Sequence, residues 1–236
     1  MNALPGFASS LFEGRRVIVT GSSGGIGRAI ADGFAAVGAE VIGLDRTPSP
    51  GTIHCDLSDR GSLDEAAHRL KEGGPVAALV NCAGRFRRVP VTSDDAADEL
   101  DACLGLHAVA PFLLTRALIS VLNNGAVVNI TSTSARRSSA EALAYSTSKA
   151  ALQALTASLA AELAPFGIRV NAVSPGEVAT SLTQGDEHVA RLVEKTPMRR
   201  RALPEEVAAA VVFLASPLAS FITGATLGVD GGFMTI

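Results

Sequence analysis

Short apolar runs alternate along the chain with longer stretches in which apolar residues recur every three or four positions. The short runs lie at residues 16–20, 40–44, 76–80, 126–130 and 168–173. Their unbroken apolar character predicts strands that are buried on both faces of a parallel sheet. The longer stretches, at 26–37, 94–122 and 144–164, have the spacing of helices with one apolar face.

This alternation of strands and helices predicts an α/β fold with a doubly wound parallel sheet and helices on both of its faces. No linker divides the 236 residues, so we expect one domain over residues 1–236. Residues 1–13 form an N-terminal extension before the first strand. Residues 181–201 are polar and predict a mobile flap that could close over a substrate.

A glycine-rich loop follows the first predicted strand. Residues 20–27 read Thr-Gly-Ser-Ser-Gly-Gly-Ile-Gly, and a predicted helix begins inside this segment. Glycines at a strand-to-helix turn let backbone N–H groups approach a pyrophosphate at the helix N-terminus. The loop therefore predicts a dinucleotide site.

Asp45 ends the second predicted strand and bears on the choice of dinucleotide. A carboxylate at this position can accept hydrogen bonds from the adenosine ribose hydroxyls, and it repels a 2′-phosphate. This favours NAD over NADP. Arg46 argues the other way, because a guanidinium beside the ribose could hold a 2′-phosphate.

Tyr145 and Lys149 are four residues apart in a predicted helix, so they share one face of it. A nearby cation favours the phenolate and can lower the pKa of a tyrosine towards working pH. Such a tyrosine can exchange protons with a carbinol or carbonyl oxygen. The same spacing is also typical of a solvated surface pair, so its meaning depends on the other motifs.

Several motifs occur in a fixed order and give the chain a resemblance to the short-chain dehydrogenase/reductase family along nearly its whole length. They are residues 20–27, Asp56, residues 81–84, Ser132, Tyr145 with Lys149, Asn171, residues 175–176 with Thr180, and residues 230–232. The resemblance implies a single-domain Rossmann-type fold and an NAD(P)-dependent oxidoreductase. It also implies a homo-oligomer, most often a tetramer built through the two long helices.

The resemblance assigns roles to four residues. Ser132 would hold the substrate oxygen, Tyr145 would be the acid/base, and Lys149 would bind the nicotinamide ribose. His107 stands where the family usually has an asparagine that works through its main-chain carbonyl. A histidine could keep that role, and a buried structural histidine fits the position equally well.

The resemblance also implies a set of cofactor contacts. Asp56 and Leu57 would meet the adenine, and Val178 and Thr180 would grip the nicotinamide carboxamide. The full set is Gly21, Ser23, Gly25, Ile26, Gly27, Asp45, Asp56, Leu57, Asn81, Ala83, Gly84, Tyr145, Lys149, Pro175, Gly176, Val178 and Thr180.

Arginines cluster in two loops that we expect at the rim of the site. Arg85, Arg87 and Arg136 are the candidate substrate ligands, because planar guanidinium groups suit carboxylates and phosphates. They predict a small anionic or heavily hydroxylated substrate. Pairing of these arginines with acidic neighbours such as Asp95 is the alternative.

Composition limits the other functions. A formal net charge of −3 gives no reason to expect nucleic acid or an anionic membrane as a partner. The apolar runs are shorter than a membrane span, and we expect a cytoplasmic protein that acts on a small molecule. The three cysteines have no CxxC spacing, so we predict no metal site.

Three functions remain open. The first is an NAD-dependent oxidoreductase acting on a secondary alcohol or ketone, such as a diol, sugar or hydroxy acid. The second is a 3-oxoacyl-thioester (acyl carrier protein) reductase, which would usually prefer NADPH, and residues 123–126 lack basic residues for docking the carrier. The third is a non-catalytic nucleotide sensor, which predicts losses among Ser132, Tyr145 and Lys149, and none is seen.

Overall fold

The fold is built on one sheet of seven parallel strands. The computed structural model describes residues 6–47, 49–122, 124–180 and 187–236. The strands are β1 (Arg16–Thr20), β2 (Glu40–Asp45), β3 (Thr52–His54), β4 (Ala78–Asn81), β5 (Ala126–Ile130), β6 (Arg169–Pro175) and β7 (Thr226–Val229). Their order is β3-β2-β1-β4-β5-β6-β7, and each neighbouring pair is parallel. The predicted parallel sheet is confirmed.

Helices cover both faces of this sheet. They are α1 (Gly25–Ala36), α2 (Arg60–Glu72), α3 (Ala96–Leu104), α4 (Ala110–Leu118), α5 (Leu143–Leu163), α6 (Glu187–Lys195) and α7 (Pro204–Ala215). One hydrophobic core lies between the sheet and the α1–α7 pair, and the other contains side chains of α2, α4 and α5. Because the central strands β1, β4, β5 and β6 face a core on both sides, most of their residues are apolar.

The strand order reverses between β1 and β4. The chain runs outward from β1 to β3 and returns to place β4 on the other side of β1. In such sheets ligands bind in the crevice at the carboxyl ends of the strands, at this reversal. The loops after β1, β4, β5 and β6 therefore meet at one edge of the sheet.

The predicted helix over 94–122 is interrupted. Between α3 and α4 the residues Gly105–Val109 form a π turn, in which the Ala110 N–H donates to the Gly105 carbonyl. Pro111 explains the interruption, because it has no N–H for the carbonyl four residues earlier, that of His107, and its ring would clash with that carbonyl in a regular helix. The wider π turn removes this conflict.

The expectation that no apolar stretch is long enough to span a membrane was wrong for one segment. Residues Ala96–Leu118 form 23 helical residues that are apolar enough to cross a bilayer by length and composition alone. Packing accounts for part of this composition, since α3 lies against α5 and Leu114 and Leu118 are buried, although 33% of the apolar stretch is buried in all. Core helices of soluble proteins pass the same test. Val109 and Phe112 stay exposed on this segment, and the homotetramer stays a prediction.

The two segments predicted outside the sheet each bury an apolar side chain where they are described. In the N-terminal extension, Phe12 is buried and its ring lies edge-on to that of Phe34, with centroids 5.1 Å apart. In the predicted flap, residues 181–186 lie outside the described residues. The remainder contains α6, on which Val189 is buried.

Candidate active site

A cavity of about 420 Å³ opens at the carboxyl ends of β1, β4, β5 and β6. It runs from Asp45 and the glycine loop, past Ala83 and Gly84, to the first turns of α5. Residues from the loop after β6 and from α6 close its other side. The site predicted from separate sequence motifs is therefore one continuous space.

The glycine loop at one end of the cavity has no room for a side chain at Gly21 or Gly27. A Cβ on Gly27 would lie 2.1 Å from the Gly21 carbonyl oxygen. Gly21 has φ +69°, and a Cβ there would lie 2.8 Å from the Ala83 Cα. The loop can therefore present its backbone N–H groups at the N-terminus of α1, where a pyrophosphate fits.

Asp45 is fixed at the outer end of the cavity. Its Oδ2 accepts from the Ser23 N–H at 3.1 Å, and its Oδ1 accepts from the Thr47 N–H at 2.9 Å. The Ser23 hydroxyl also donates to the Thr47 carbonyl at 3.1 Å. These bonds hold a carboxylate at the rim, where the ribose end of a dinucleotide would lie.

Ser132, Tyr145 and Lys149 meet at the inner end of the cavity. Ser132 follows β5, and its hydroxyl oxygen accepts from the Ser134 N–H at 3.1 Å. Lys149 is buried, and its Nζ donates to the Ile130 carbonyl at 2.8 Å. The same Nζ lies 5.7 Å from the centre of the Tyr145 ring. The arrangement places a hydroxyl, a phenol and an ammonium around one point.

Burial controls the acid–base properties of this group. It raises the pKa of Tyr145 to about 12, while a hydrogen bond with Ser132 lowers that pKa and the charge of Glu177 raises it further. Burial also lowers the pKa of Lys149 to about 8. The sequence predicted a lowered tyrosine pKa, which is wrong for the polypeptide alone, because the loss of solvation outweighs the nearby ammonium.

His107 lies beneath the site, on the π turn, and is 1% exposed. Its Nε2 accepts from the Arg85 N–H at 3.0 Å, and its Nδ1 lies 2.7 Å from the Ser148 hydroxyl oxygen. Burial lowers the pKa of His107 to about 2, and the charges of Lys149 and Arg85 add to this effect. The imidazole is therefore neutral in this environment.

The loop arginines are largely committed to partners. Arg85 donates to Glu99 at 2.7 Å, and Arg87 pairs with Asp95 at 2.6 Å and with Glu99 at 3.6 Å. The Glu99 carboxylate is buried, so these ion pairs hold the loop against α3. Arg136 lines a neighbouring cavity rather than this one.

Comparison with known proteins decides the family. A family model described as enoyl-(acyl carrier protein) reductase matches residues 21–234. Protein FixR of Bradyrhizobium diazoefficiens is 38% identical over 243 residues, which cover 93% of this chain and 87% of that protein. The galactitol 2-dehydrogenase (L-tagatose-forming) of Cereibacter sphaeroides is 37% identical over 243 residues, covering 94% and 95%. The chain belongs to the short-chain dehydrogenase/reductase family.

A solved structure agrees with this assignment. The protein described as an NAD(P)-dependent gluconate 5-dehydrogenase from Beutenbergia cavernae, with bound NADP, superposes with a TM-score of 0.88. It is 34% identical in sequence, and the match covers 98% of this chain and 100% of that one. The fold class predicted from the sequence is confirmed, as is an oxidoreductase that acts on CH–OH groups with NAD(P).

Most of the residues predicted for this short-chain dehydrogenase/reductase line the cavity. Those that do are Gly21, Gly25, Ile26, Gly27, Asp45, Ala83, Gly84, Arg85, Ser132, Tyr145, Lys149, Pro175, Gly176, Val178 and Thr180. Seven others are not part of its lining, namely Ser23, Asp56, Leu57, Asn81, Arg87, His107 and Arg136.

Asp56 and Asn81, which lie outside the lining, are held by hydrogen bonds to other residues. Asp56 accepts hydrogen bonds from the Ser58 N–H at 2.9 Å and the Ser58 hydroxyl at 2.5 Å, and these bonds lower the pKa of its carboxyl group. The Asn81 amide donates to the Asn129 side chain at 2.8 Å. The cofactor contacts expected of them stay predictions.

Twelve lining residues were not predicted as ligands, and four of them bear on the substrate: Phe86, Ser134, Ser139 and Glu177. Glu177 directly follows the Pro175-Gly176 pair, and the two serines follow Ser132 closely in sequence. Their closeness in sequence to predicted site residues was the signal that could have identified them. The role of Phe86 could not be identified from the sequence, because it depends on packing against Tyr145, with ring centroids 5.1 Å apart.

Proposed function

We propose that the protein is an NAD-dependent dehydrogenase that transfers a hydride between the nicotinamide and a secondary alcohol or ketone of a small polyhydroxylated compound. One observation carries this proposal. Ser132, Tyr145 and Lys149 lie in the same cavity as the glycine loop, so proton transfer and cofactor binding can occur side by side.

The residues of the chain supply placement and proton transfer. Ser132 donates a hydrogen bond to the substrate oxygen, and the Tyr145 phenol donates a second one when that oxygen belongs to a ketone. In alcohol oxidation the Tyr145 phenolate takes the hydroxyl proton while the carbon–oxygen double bond forms. Lys149 places a positive charge below the phenol, which favours the phenolate. When bound, NAD⁺ supplies the acceptor for the hydride that leaves the carbinol carbon.

The proposed preference for NAD rests on Asp45. Two backbone N–H groups fix its carboxylate at the cavity rim, so it cannot turn away from a 2′-phosphate at low cost. Placing two like charges together is unfavourable by several kcal/mol. The neighbouring Arg46 is exposed and remains the residue that would favour NADP. The gluconate 5-dehydrogenase that superposes on this chain holds NADP.

The proposed substrate class follows from the charges in the cavity. Arg85 is offset by Glu99, so it brings little net charge to an acid, and Arg88, which also lines the cavity, lies over the Phe86 ring. Glu177 and the hydroxyl groups of Ser134 and Ser139 line the cavity instead, and such groups suit the hydroxyls of a neutral polyol. The relative named galactitol 2-dehydrogenase supports this choice, and the gluconate 5-dehydrogenase keeps a sugar acid as the alternative.

A substrate screen tests the proposal. NADH formation should be fastest with galactitol and related polyols, and slower with aldonic acids of the same length. NADPH-dependent reduction of a 3-oxoacyl thioester, with no polyol oxidation, would replace the proposal by the acyl reductase function. Tight binding of NADH with no turnover of any class would indicate a sensor.

Glu177→Gln should move the pH dependence of alcohol oxidation towards lower pH. Burial is the main cause of the raised Tyr145 pKa, and the Glu177 charge adds to it. Oxidation needs the phenolate, whose fraction rises with pH below the pKa. Removing the charge lowers that pKa, so the rising limb of kcat/KM against pH should shift down and rates on it should increase severalfold.

The matched control is Glu205→Gln, which removes an exposed charge on α7 outside the cavity. Its pH profile should equal that of the wild type. A limb that stays in place, or moves to higher pH, in Glu177→Gln would show that this carboxylate does not act on Tyr145.

A further inference from the structure

We propose that His107 is a positioning residue. Its neutral imidazole ties the loop after β4 to helix α5, and it neither gains nor releases a proton during the reaction. We define this loop as residues 82–88. The inference rests on the proposed dehydrogenase function and deepens it, since it assigns a task to the residue that replaces the family's asparagine.

The directions of three hydrogen bonds fix the position of the imidazole proton. The Arg85 backbone N–H can only donate, so Nε2 of His107 must offer its lone pair. The Ser148 hydroxyl donates to the Tyr145 carbonyl at 2.7 Å, so its oxygen is left to accept. Nδ1 of His107 must therefore bear the proton and donate to Ser148. One tautomer satisfies every partner.

The surroundings oppose a second proton on this ring. A proton on Nε2 would face the Arg85 N–H and break that bond. It would also add a positive charge near Lys149 and the Arg85 guanidinium, while the Glu99 carboxylate is already paired with Arg85. Space is short as well, because a Cβ on Gly84 would lie 3.2 Å from Nε2 and 3.7 Å from the Lys149 Nζ.

The loop that His107 holds forms two parts of the site. Ala83 and Gly84 line the cavity on the cofactor side. Phe86 packs edge-on against the Tyr145 ring, with centroids 5.1 Å apart, and the His107 ring packs edge-on against the same phenol at 5.6 Å. Tyr145 is thus held by two rings whose separation depends on the Arg85–His107 bond.

The imidazole suits this task because it has two polar atoms on opposite sides of a rigid ring. One reaches Arg85 in the loop after β4, and the other reaches Ser148 on α5. An asparagine is shorter and can keep only the partner on the Nδ1 side, whereas a glutamine can place an acceptor near the position of Nε2. This difference gives a matched pair of variants.

The kinetic test compares His107→Gln, His107→Asn and His107→Leu, each with NAD. A buried donor left without its acceptor corresponds to a loss of about tenfold, so kcat/KM should fall about tenfold in the Asn and Leu variants and less in Gln. The dissociation constant for NADH should rise in the same order. The rising limb of the pH profile should stay in place in all three, whereas a proton carrier would move it.

A second measurement does not depend on turnover. Side-chain ¹⁵N NMR of the histidines in the NADH complex should show one protonated and one bare nitrogen for His107, unchanged from about pH 5 to about pH 9. Loss of the signal in His107→Gln assigns it to this residue.

The outcomes separate this inference from the proposed function. Titration of His107 in that pH range, or wild-type kcat/KM and NADH binding in His107→Leu, overturns the link. If no alcohol is oxidised, the dehydrogenase proposal fails, while the ¹⁵N spectra and the NADH dissociation constants still decide whether His107 holds the loop.

Discussion

Tyr145→Phe should reduce kcat/KM for alcohol oxidation by about 1000-fold, because it removes the group that takes the hydroxyl proton. The phenylalanine ring can keep the edge-on contacts with Phe86 and His107. Helix α5 and the cofactor cavity should therefore stay intact. Initial rates of NADH formation, measured over a range of pH, give the loss directly.

Two controls distinguish a chemical defect from a structural one. The dissociation constant for NADH and the thermal midpoint of Tyr145→Phe should stay close to those of the wild type. Tyr145 is the only tyrosine in the chain, so no other phenol can replace it. If the variant keeps more than a tenth of the activity, the proton leaves the substrate by another route and the proposed mechanism is wrong.

Asp45→Asn should lower the preference for NAD over NADP by about 100-fold, expressed as the ratio of the two kcat/KM values. The substitution removes the charge that repels a 2′-phosphate, while its amide oxygen can still accept one of the two backbone hydrogen bonds. Parallel measurements with both cofactors and the best polyol give the ratio.

Asp32→Asn is the matched control, because Asp32 lies exposed on α1 in an ion pair with Arg28 and outside the cavity lining. Its cofactor ratio should not change. Adding Arg46→Ala to Asp45→Asn should reverse part of the gain with NADP if the guanidinium binds the phosphate. An unchanged ratio in Asp45→Asn would show that another residue selects the cofactor.

The central strands of the sheet could be predicted from the sequence, because burial on both faces requires a short apolar run in each of them. The sequence was not sufficient for β7, whose residues are partly exposed and include Gly228, so that its pattern is weak. The π turn was also missed. Its cause is local, because Pro111 has no N–H for the His107 carbonyl and its ring would clash with that carbonyl. The pattern of apolar residues gives no sign of one missing N–H.

The residues of the site also fall into those that the sequence could predict and those that it could not. The glycine loop, Ser132, Tyr145 and Lys149 could be named from the sequence, because their motifs occur together in the order that gives the family resemblance, although no single spacing was sufficient. The state of the arginines could not be predicted, since the partner of Arg85 is Glu99, which only the packing of α3 brings close. The raised pKa of Tyr145 likewise comes from burial by several separate segments, which no single motif records.

The π turn at Gly105–Val109 restricts the number of residues that can lie between α3 and α4. One residue corresponds to about 100° of helix rotation. The π turn takes up one residue more than an α-helical turn, so a regular helix over the same residues would turn α4 and take Leu114 and Leu118 out of the core. It would also move His107 away from Arg85. A substitution in this segment changes one contact at a time. An insertion or deletion changes the core and the site together. The number of residues in the segment is therefore more restricted than their identity.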